Sequence, residues 1–527
     1  MYETLSARLA RLQETGGAAA LASRLVGLER EALRVAPDGL IAQTPHPAAL
    51  GAALTHPHIT TDYAESLLEF VTPAFHDSRS ALAFLDDTQR FIYAELGDEL
   101  LWATSMPCQV AGEANIPVAR YGGSNAARMK HIYRLGLGHR YGRMMQIIAG
   151  VHFNFSFGDD FWQLLAELDG TALPRQDFIS AQYFALIRNL QRVGWLVPYL
   201  FGASPVVCKS FFEAQPDALL EFNPSSYYEP WATSLRMSDI GYQNSRVCQA
   251  GTKAVYNSLD EYVQTLQYAI CTPCPAYEKI GAASGGEWRQ LSPNILQIEN
   301  EYYATTRPKQ IPDGFEMPSL ALQRRGVAYV ELRSLDVDAF DPRGVSEETL
   351  CFLETLMLFC LLVDSPLIDH DDRSSIDYNL GVVAHRGREE GLRLARGGGE
   401  VAMADWAGEI IDGMLGCAEL LDESGGGGRY RDALELQREK LGNPWLTPSS
   451  MQLGALRGGG ESFTDYAMRL AGEHRKHYAA RPLAAPREAE FRAMSEASFA
   501  AQREIEAADN GSFEDFLAGY FAQLQRP

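Results

Sequence analysis

The sequence predicts an α+β fold: one sheet with a covered apolar face and a second face bearing acids, a histidine and an arginine, followed by a mainly helical region. Three observations predict it. Four separated stretches alternate with period two, as strands do when one face is buried. They are GLEREALRV (27–35), VHFNFSF (151–157), ILQIENEYY (295–303) and AYVELRSLD (328–336). Their polar positions are chemically alike: Glu29 and Glu31; His152, Asn154 and Ser156; Gln297, Glu299, Glu301 and Tyr303; Tyr329, Glu331 and Arg333. After Arg343-Gly344 the pattern turns to helical spacing interrupted by glycine runs.

In chain order, residues 1–25 carry Leu5, Leu9 and Leu12 at helical spacing and then the Gly16-Gly17 break, before the first acidic strand. Pro37-Asp38-Gly39 is a turn, with proline pre-setting φ and glycine supplying φ > 0. HITTDYAESLLEF (58–70) is open. Thr60 and Thr61 suit an extended or capping role; if Ala64 to Phe70 is a helix, Glu65 and Glu69 share one face at i, i+4, and if it is a strand, Glu65, Leu67 and Glu69 share one. Residues 78–97 have helical spacing, Met106 to Tyr121 is irregular, and Asn125 to Met145 is helical and rich in Arg, Lys and Tyr. Phe178 to Trp195 is helical, Pro198 to Cys208 reads as a proline-containing loop, and 222–242 is aromatic-rich around Arg236. Asp260 to Tyr268 is helical. Ser346 caps a long apolar helix that has Glu347 and Glu348 in its first turn, where acids suit the helix dipole. Helices then continue to Pro527, and Ser512 with Asp515 opens the last one. The glycine runs at 397–399, 425–428 and 458–460 lack a phosphate-loop pattern and read as flexible connections. The expected layout is a sheet-bearing catalytic region over 1–343 and a mainly helical region over 344–527, packed as one unit.

With 527 residues, 46% hydrophobic, the chain can bury a large core. Its formal net charge of -22 repels nucleic acid and anionic lipid, so neither is an expected partner. The first residues lack an apolar signal-peptide core. The longest strongly apolar run, Leu356 to Val363, is far shorter than the roughly 20 residues of a membrane span. The expected location is the cytoplasm. The eight cysteines are irregularly spaced and read as reduced thiols. Cys271-Thr-Pro-Cys274 has no second pair to complete a zinc site.

Glu29, Glu31, Asp62, Glu69, His152 and Glu331 supply five carboxylates and one imidazole, a donor set that suits Mg²⁺ or Mn²⁺. Several such ions together suit phosphate chemistry. Arg333, two residues from Glu331, would point into the same site and suits a transferring phosphoryl group.

These stretches, together with HITTDYAESLLEF, SMPC (105–108), VGWLVPYLFGASP (193–205) and ATSLRMSD (232–239), resemble the bacterial type of glutamate–cysteine ligase, in order and along most of the chain. The resemblance implies a curved, mainly antiparallel sheet like that of glutamine synthetase, covered by helices. It implies ligation of the γ-carboxylate of L-glutamate to the amino group of L-cysteine through a γ-glutamyl phosphate, with ATP as co-substrate and more than one Mg²⁺ or Mn²⁺. By matching motifs, the metal ligands would be Glu29, Glu31, Asp62, Glu69, His152 and Glu331. Arg333 would meet the phosphoryl group, and Arg236 would hold a substrate carboxylate. Tyr63, Tyr133, Leu137, Gln146, Tyr242 and Tyr303 would form the cysteine pocket, and Asn154 would help to position glutamate. The resemblance also implies a monomer. Tyr63 stands where the family's pattern has phenylalanine, and its hydroxyl would alter the shape or polarity of that pocket. Other readings weighed on the residues are a related ligase with another amine acceptor, a two-cation phosphohydrolase and a non-catalytic acidic scaffold.

Overall fold

The computed structural model describes residues 2–241 and 253–525. Its centre is β1 (Leu25–Val35), an eleven-residue strand that pairs on both sides. The other strands of its sheet are β2 (Ile59–Thr61), β3 (Leu67–Val71), β4 (Leu100–Leu101), β5 (Val151–Ser156), β6 (Thr306–Lys309) and β7 (Tyr329–Leu335). The order is β6-β7-β5-β1-β3-β2, with β4 pairing the end of β1, and every pairing is antiparallel. Together with the helices this is the expected α+β fold.

The register brings the acids together. Glu29 lies opposite His152 on β5, Glu31 opposite Glu69 on β3, and Glu331 opposite Asn154 on one side and Arg307 on the other. Because side chains alternate across a sheet, Val26, Leu28, Phe70, Phe153, Phe155, Val330 and Leu332 go to the other face, where all are buried. Helices α2 (Ser78–Glu95), α4 (Arg175–Val193) and α5 (Glu347–Leu362) cover that face. It is not purely apolar. Arg30 also enters it, buried, and donates to Gln89 and to the Pro342 carbonyl.

Several expectations change. Residues 295–303 are not a strand; Glu299–Glu301 is a single 3-10 turn. Tertiary donors decide this. Glu301 accepts from Arg140 (2.8 Å), Tyr141 (2.7 Å) and the Gln297 backbone N–H (2.8 Å), and Glu299 accepts from the Ser319 backbone N–H (2.7 Å). β6 takes the sheet edge instead, where Pro308 needs no N–H partner. The open 58–70 stretch resolves as β2, a turn and β3, so Thr60 and Thr61 are extended and the strand alternative holds from Leu67. Pro198 to Cys208 is not a loop throughout: Leu196–Phe201 is helical and Val206–Cys208 is a strand. The glycines at 397–399 turn a hairpin between Arg393–Arg396 and Gly399–Ala402. Cys274 is disulfide-bonded, which departs from reduced thiols throughout; Cys248 lies outside the described residues.

Ser346 does cap α5, accepting from the Thr349 N–H at 3.2 Å. The C-terminal helices wrap the sheet region. Phe463–Ala479 and Ala485–Ala508 pack on α2, and Phe513–Phe521 packs on α3 (Asn125–Tyr141). A buried Arg24–Glu354 pair (2.7 Å) joins the N-terminal segment to α5. Among the described residues no helix is long and apolar enough to cross a membrane.

Candidate ligand pocket

The polar sheet face forms the floor of a cavity of about 440 Å³. Glu29, Glu31, Asp62, Glu69, His152, Glu331, Arg236, Arg333, Tyr63, Tyr133, Leu137 and Tyr303 all line it. Gln146 and Asn154 do not line it. Asn154 lies just beneath, donating Nδ2 to Glu29 Oε1 at 2.8 Å, so it orients a carboxylate. Gln146 is buried in the short turn after α3. Tyr242 lies outside the described residues.

The tightest group is Glu29, His152 and Glu331, whose ligand atoms lie within 4.8 Å of one another. His152 Nδ1 is 3.0 Å from Glu29 Oε2 and 3.4 Å from Glu331 Oε1, and its Nε2 is 3.8 Å from Glu31 Oε1. Glu31 accepts the Gly150 N–H at 2.7 Å. Glu69 adds a further carboxylate at this end. Burial and then the charges of Glu29, Asp62 and Glu31 hold its pKa well above the usual range. Oxygen-rich, with one imidazole and mutually repelling acids, this donor set fits hard divalent cations.

Cations face the acids. Arg333 Nη1 donates to Glu331 Oε1 at 2.7 Å, and Lys309 Nζ lies 3.3 Å from Glu331 Oε2. Burial pushes the Glu331 carboxyl up, but Lys309, Arg333 and His152 outweigh it and hold it well below the usual range. Arg236 donates to the Arg333 carbonyl (2.8 Å) and lies 3.7 Å from the buried Asp336. A Cβ on Gly150 would sit 2.1 Å from Arg236 Nη2, so this close approach requires glycine. Arg134 reaches Asp62 at 3.9 Å.

Lys130, Arg134, Arg307 and Lys309 line the cavity and were missed by the sequence reading. Their signals were present: Lys130 and Arg134 are i, i+4 on the Arg-rich helix, and Arg307 and Lys309 alternate on TRPK. Burial, and then Arg134, lower Lys130 to about 8. A second cavity of about 250 Å³ adjoins the first. It shares Asn300, Arg307, Lys309 and Pro312 with it and is walled by Tyr262, Leu266, Leu322 and Tyr329.

Acids and cations face each other across one cavity on an antiparallel sheet, an arrangement suited to holding cations and anionic groups together. Residues 9–383 match the family model described as glutamate-cysteine ligase. Glutamate–cysteine ligase from Alcanivorax borkumensis is 47% identical over 98% of this chain and 99% of its own. The Azotobacter vinelandii enzyme of the same name is 47% identical over 100% and 99%. A crystal structure of glutamate–cysteine ligase from Francisella tularensis in complex with AMP superposes with a TM-score of 0.90 at 35% identity, covering 95% of this chain and 98% of that one. The chain belongs to the glutamate–cysteine ligase family and is a ligase. A bifunctional glutathione synthetase from Pasteurella multocida shares the fold (TM-score 0.71, 23% identity, 89% of this chain and 55% of that one).

Proposed function

We propose that this protein joins the γ-carboxylate of L-glutamate to the amino group of L-cysteine at the expense of ATP, the first step of glutathione biosynthesis. One observation carries the reading: Glu29, His152 and Glu331 converge within 4.8 Å directly beside Arg333. A carboxylate can attack a polyphosphate only where their mutual repulsion is relieved.

Glu29, His152 and Glu331, with Glu31, Asp62 and Glu69, would hold Mg²⁺ or Mn²⁺, more than one ion. Such ions neutralise phosphate oxygens and favour an in-line transfer. Arg236 holds a carboxylate of glutamate, and Asn154 keeps Glu29 oriented. The γ-carboxylate oxygen attacks the γ-phosphorus of ATP; the bond to ADP breaks and a γ-glutamyl phosphate forms. Arg333 donates to the equatorial oxygens as the phosphoryl group passes, and Lys309 and Arg307 offset the charge on the phosphates. The adjoining cavity takes the adenosine. The cysteine amine then attacks the acyl carbon and phosphate leaves. Tyr63, Tyr133, Leu137 and Tyr303 shape the acceptor end. The sheet is read as glutamine-synthetase-like, regions 1–343 and 344–527 as one catalytic unit, and the protein as a cytoplasmic monomer.

The test is substrate dependence. Release of ADP and phosphate should require glutamate, cysteine and Mg²⁺ together. Equal ATP hydrolysis without either amino acid refutes the reading. Comparing cysteine and 2-aminobutyrate with alanine separates a thiol-shaped pocket from a broader one.

A further inference from the structure

The last α-helix, Phe513–Phe521, reaches the pocket, although the sequence expectation placed no pocket residue beyond 343. Ser512 caps this helix, and Phe513, Leu517 and Tyr520 form its buried stripe at i, i+4 and i+7. Both ends are tied to pocket-lining elements. At the N-terminal end, Asp509 accepts from Asn125 Nδ2 at 2.8 Å at the start of α3, the helix that carries Lys130, Tyr133 and Leu137. Phe513 packs under the Arg128 guanidinium, 4.7 Å from its ring centre. At the C-terminal end, Gln523 donates to the Phe315 carbonyl (3.1 Å) and accepts the Met317 N–H (3.2 Å). The Phe516 ring lies 5.5 Å from that of Phe315.

Between these ties Tyr520 and Phe315 line the cavity. Tyr520 is only 9% exposed. Burial, and then Glu299 and Tyr133, raise its phenol above the ordinary tyrosine range, so the ring presents a neutral wall beside Tyr133. Resting on the ligase reading, in which Tyr133 belongs to the acceptor end, we propose that Tyr520 is a specificity-determining residue for the amine acceptor. Its ring closes the acceptor end of the pocket from the C-terminal helix and limits the bulk of the acceptor side chain.

Full-length Tyr520→Ala, Tyr520→Phe and Tyr520→Trp test this by steady-state kinetics with cysteine, 2-aminobutyrate and norvaline. Removing one apolar wall should raise the Tyr520→Ala KM for cysteine by about tenfold and move preference toward norvaline, while KM for glutamate and ATP stays within about twofold. Tyr520→Phe should match the wild type, and Tyr520→Trp should exclude norvaline further. Leu517→Ala, on the same helix but outside the lining, separates packing from selectivity: it should lower the melting temperature and leave the acceptor ranking unchanged. An unchanged ranking in Tyr520→Ala and Tyr520→Trp, or a shift confined to the ATP KM, overturns the proposal. Wild-type protein with no acceptor-dependent ADP release instead overturns the ligase reading beneath it.

Discussion

Two buried carboxylate settings in this protein contrast sharply. Glu354, in α5, is sealed: Arg24 Nε meets its Oε2 at 2.7 Å, Tyr430 donates to the same oxygen at 2.8 Å, and Ser78 donates to Oε1. Glu69, at the pocket, has its pKa raised by burial and then by the like charges of Glu29, Asp62 and Glu31, against Arg134. The first arrangement is complete within the protein. The second concentrates like charge where a ligand can reach it. A buried acid whose donors are all internal holds the fold together, whereas crowded acids lining a cavity are arranged for something that enters it.

The comparison breaks if mutations at the two places do the same thing. The largest effect should come from Glu69→Gln: ligase turnover should fall roughly 10³-fold, equivalent to about 4 kcal/mol of transition-state stabilisation. Its melting temperature without divalent cations should hold or rise. The sign follows from the raised pKa. Ionising Glu69 disfavours the folded state, a penalty absent below the unfolded carboxylate pKa that grows as pH rises through the folded one. The gain from Gln should therefore be larger at pH 8 than at pH 5. Glu354→Ala should do the reverse, costing about 3–5 kcal/mol of stability by stranding Arg24, with the folded fraction still active. Chemical denaturation with parallel assays would read both, and a stable but inactive Glu354→Ala would reverse the contrast.

A third setting is intermediate. His385 bridges Glu229 (2.7 Å) and Asp239 (2.9 Å) at a half-buried site, and the bond to Glu229 is the main cause of its raised pKa, against burial and together with Asp239. Its stabilisation is complete below the ordinary histidine pKa of about 6.5 and is lost as pH rises through the raised value. His385→Gln should flatten the decline in melting temperature above pH 6.5. An unaltered pH profile would show that the bridge contributes nothing. The smallest effect should come from Tyr63→Phe. Among the described residues the buried Tyr63 hydroxyl has no hydrogen-bond partner, so its removal should change stability by about 1 kcal/mol or less, in the stabilising direction. A loss larger than that, by thermal melting, would mean the hydroxyl is held in solution.

Much of the floor of the site was legible. In β1, β5 and β7 alternation assigned Glu29, Glu31, His152, Glu331 and Arg333 to one face, and the register then placed them side by side. The same alternation misled at 295–303, because Arg140, Tyr141 and Ser319 draw Glu301 and Glu299 into a turn. Lys130, Arg134, Arg307 and Lys309 were visible as charges but not as one wall, since they come from a helix and an edge strand far apart in the chain.

The sequence by itself determined the α+β class, the capped helices and which side chains share a strand face, because these depend on neighbours a few residues away. Only the tertiary structure decided which strand takes the sheet edge, which acids are sealed and which are open, and that Tyr520 lines the same cavity as Tyr133. Those outcomes rest on donors and packing surfaces separated by hundreds of residues, and no local periodicity encodes them.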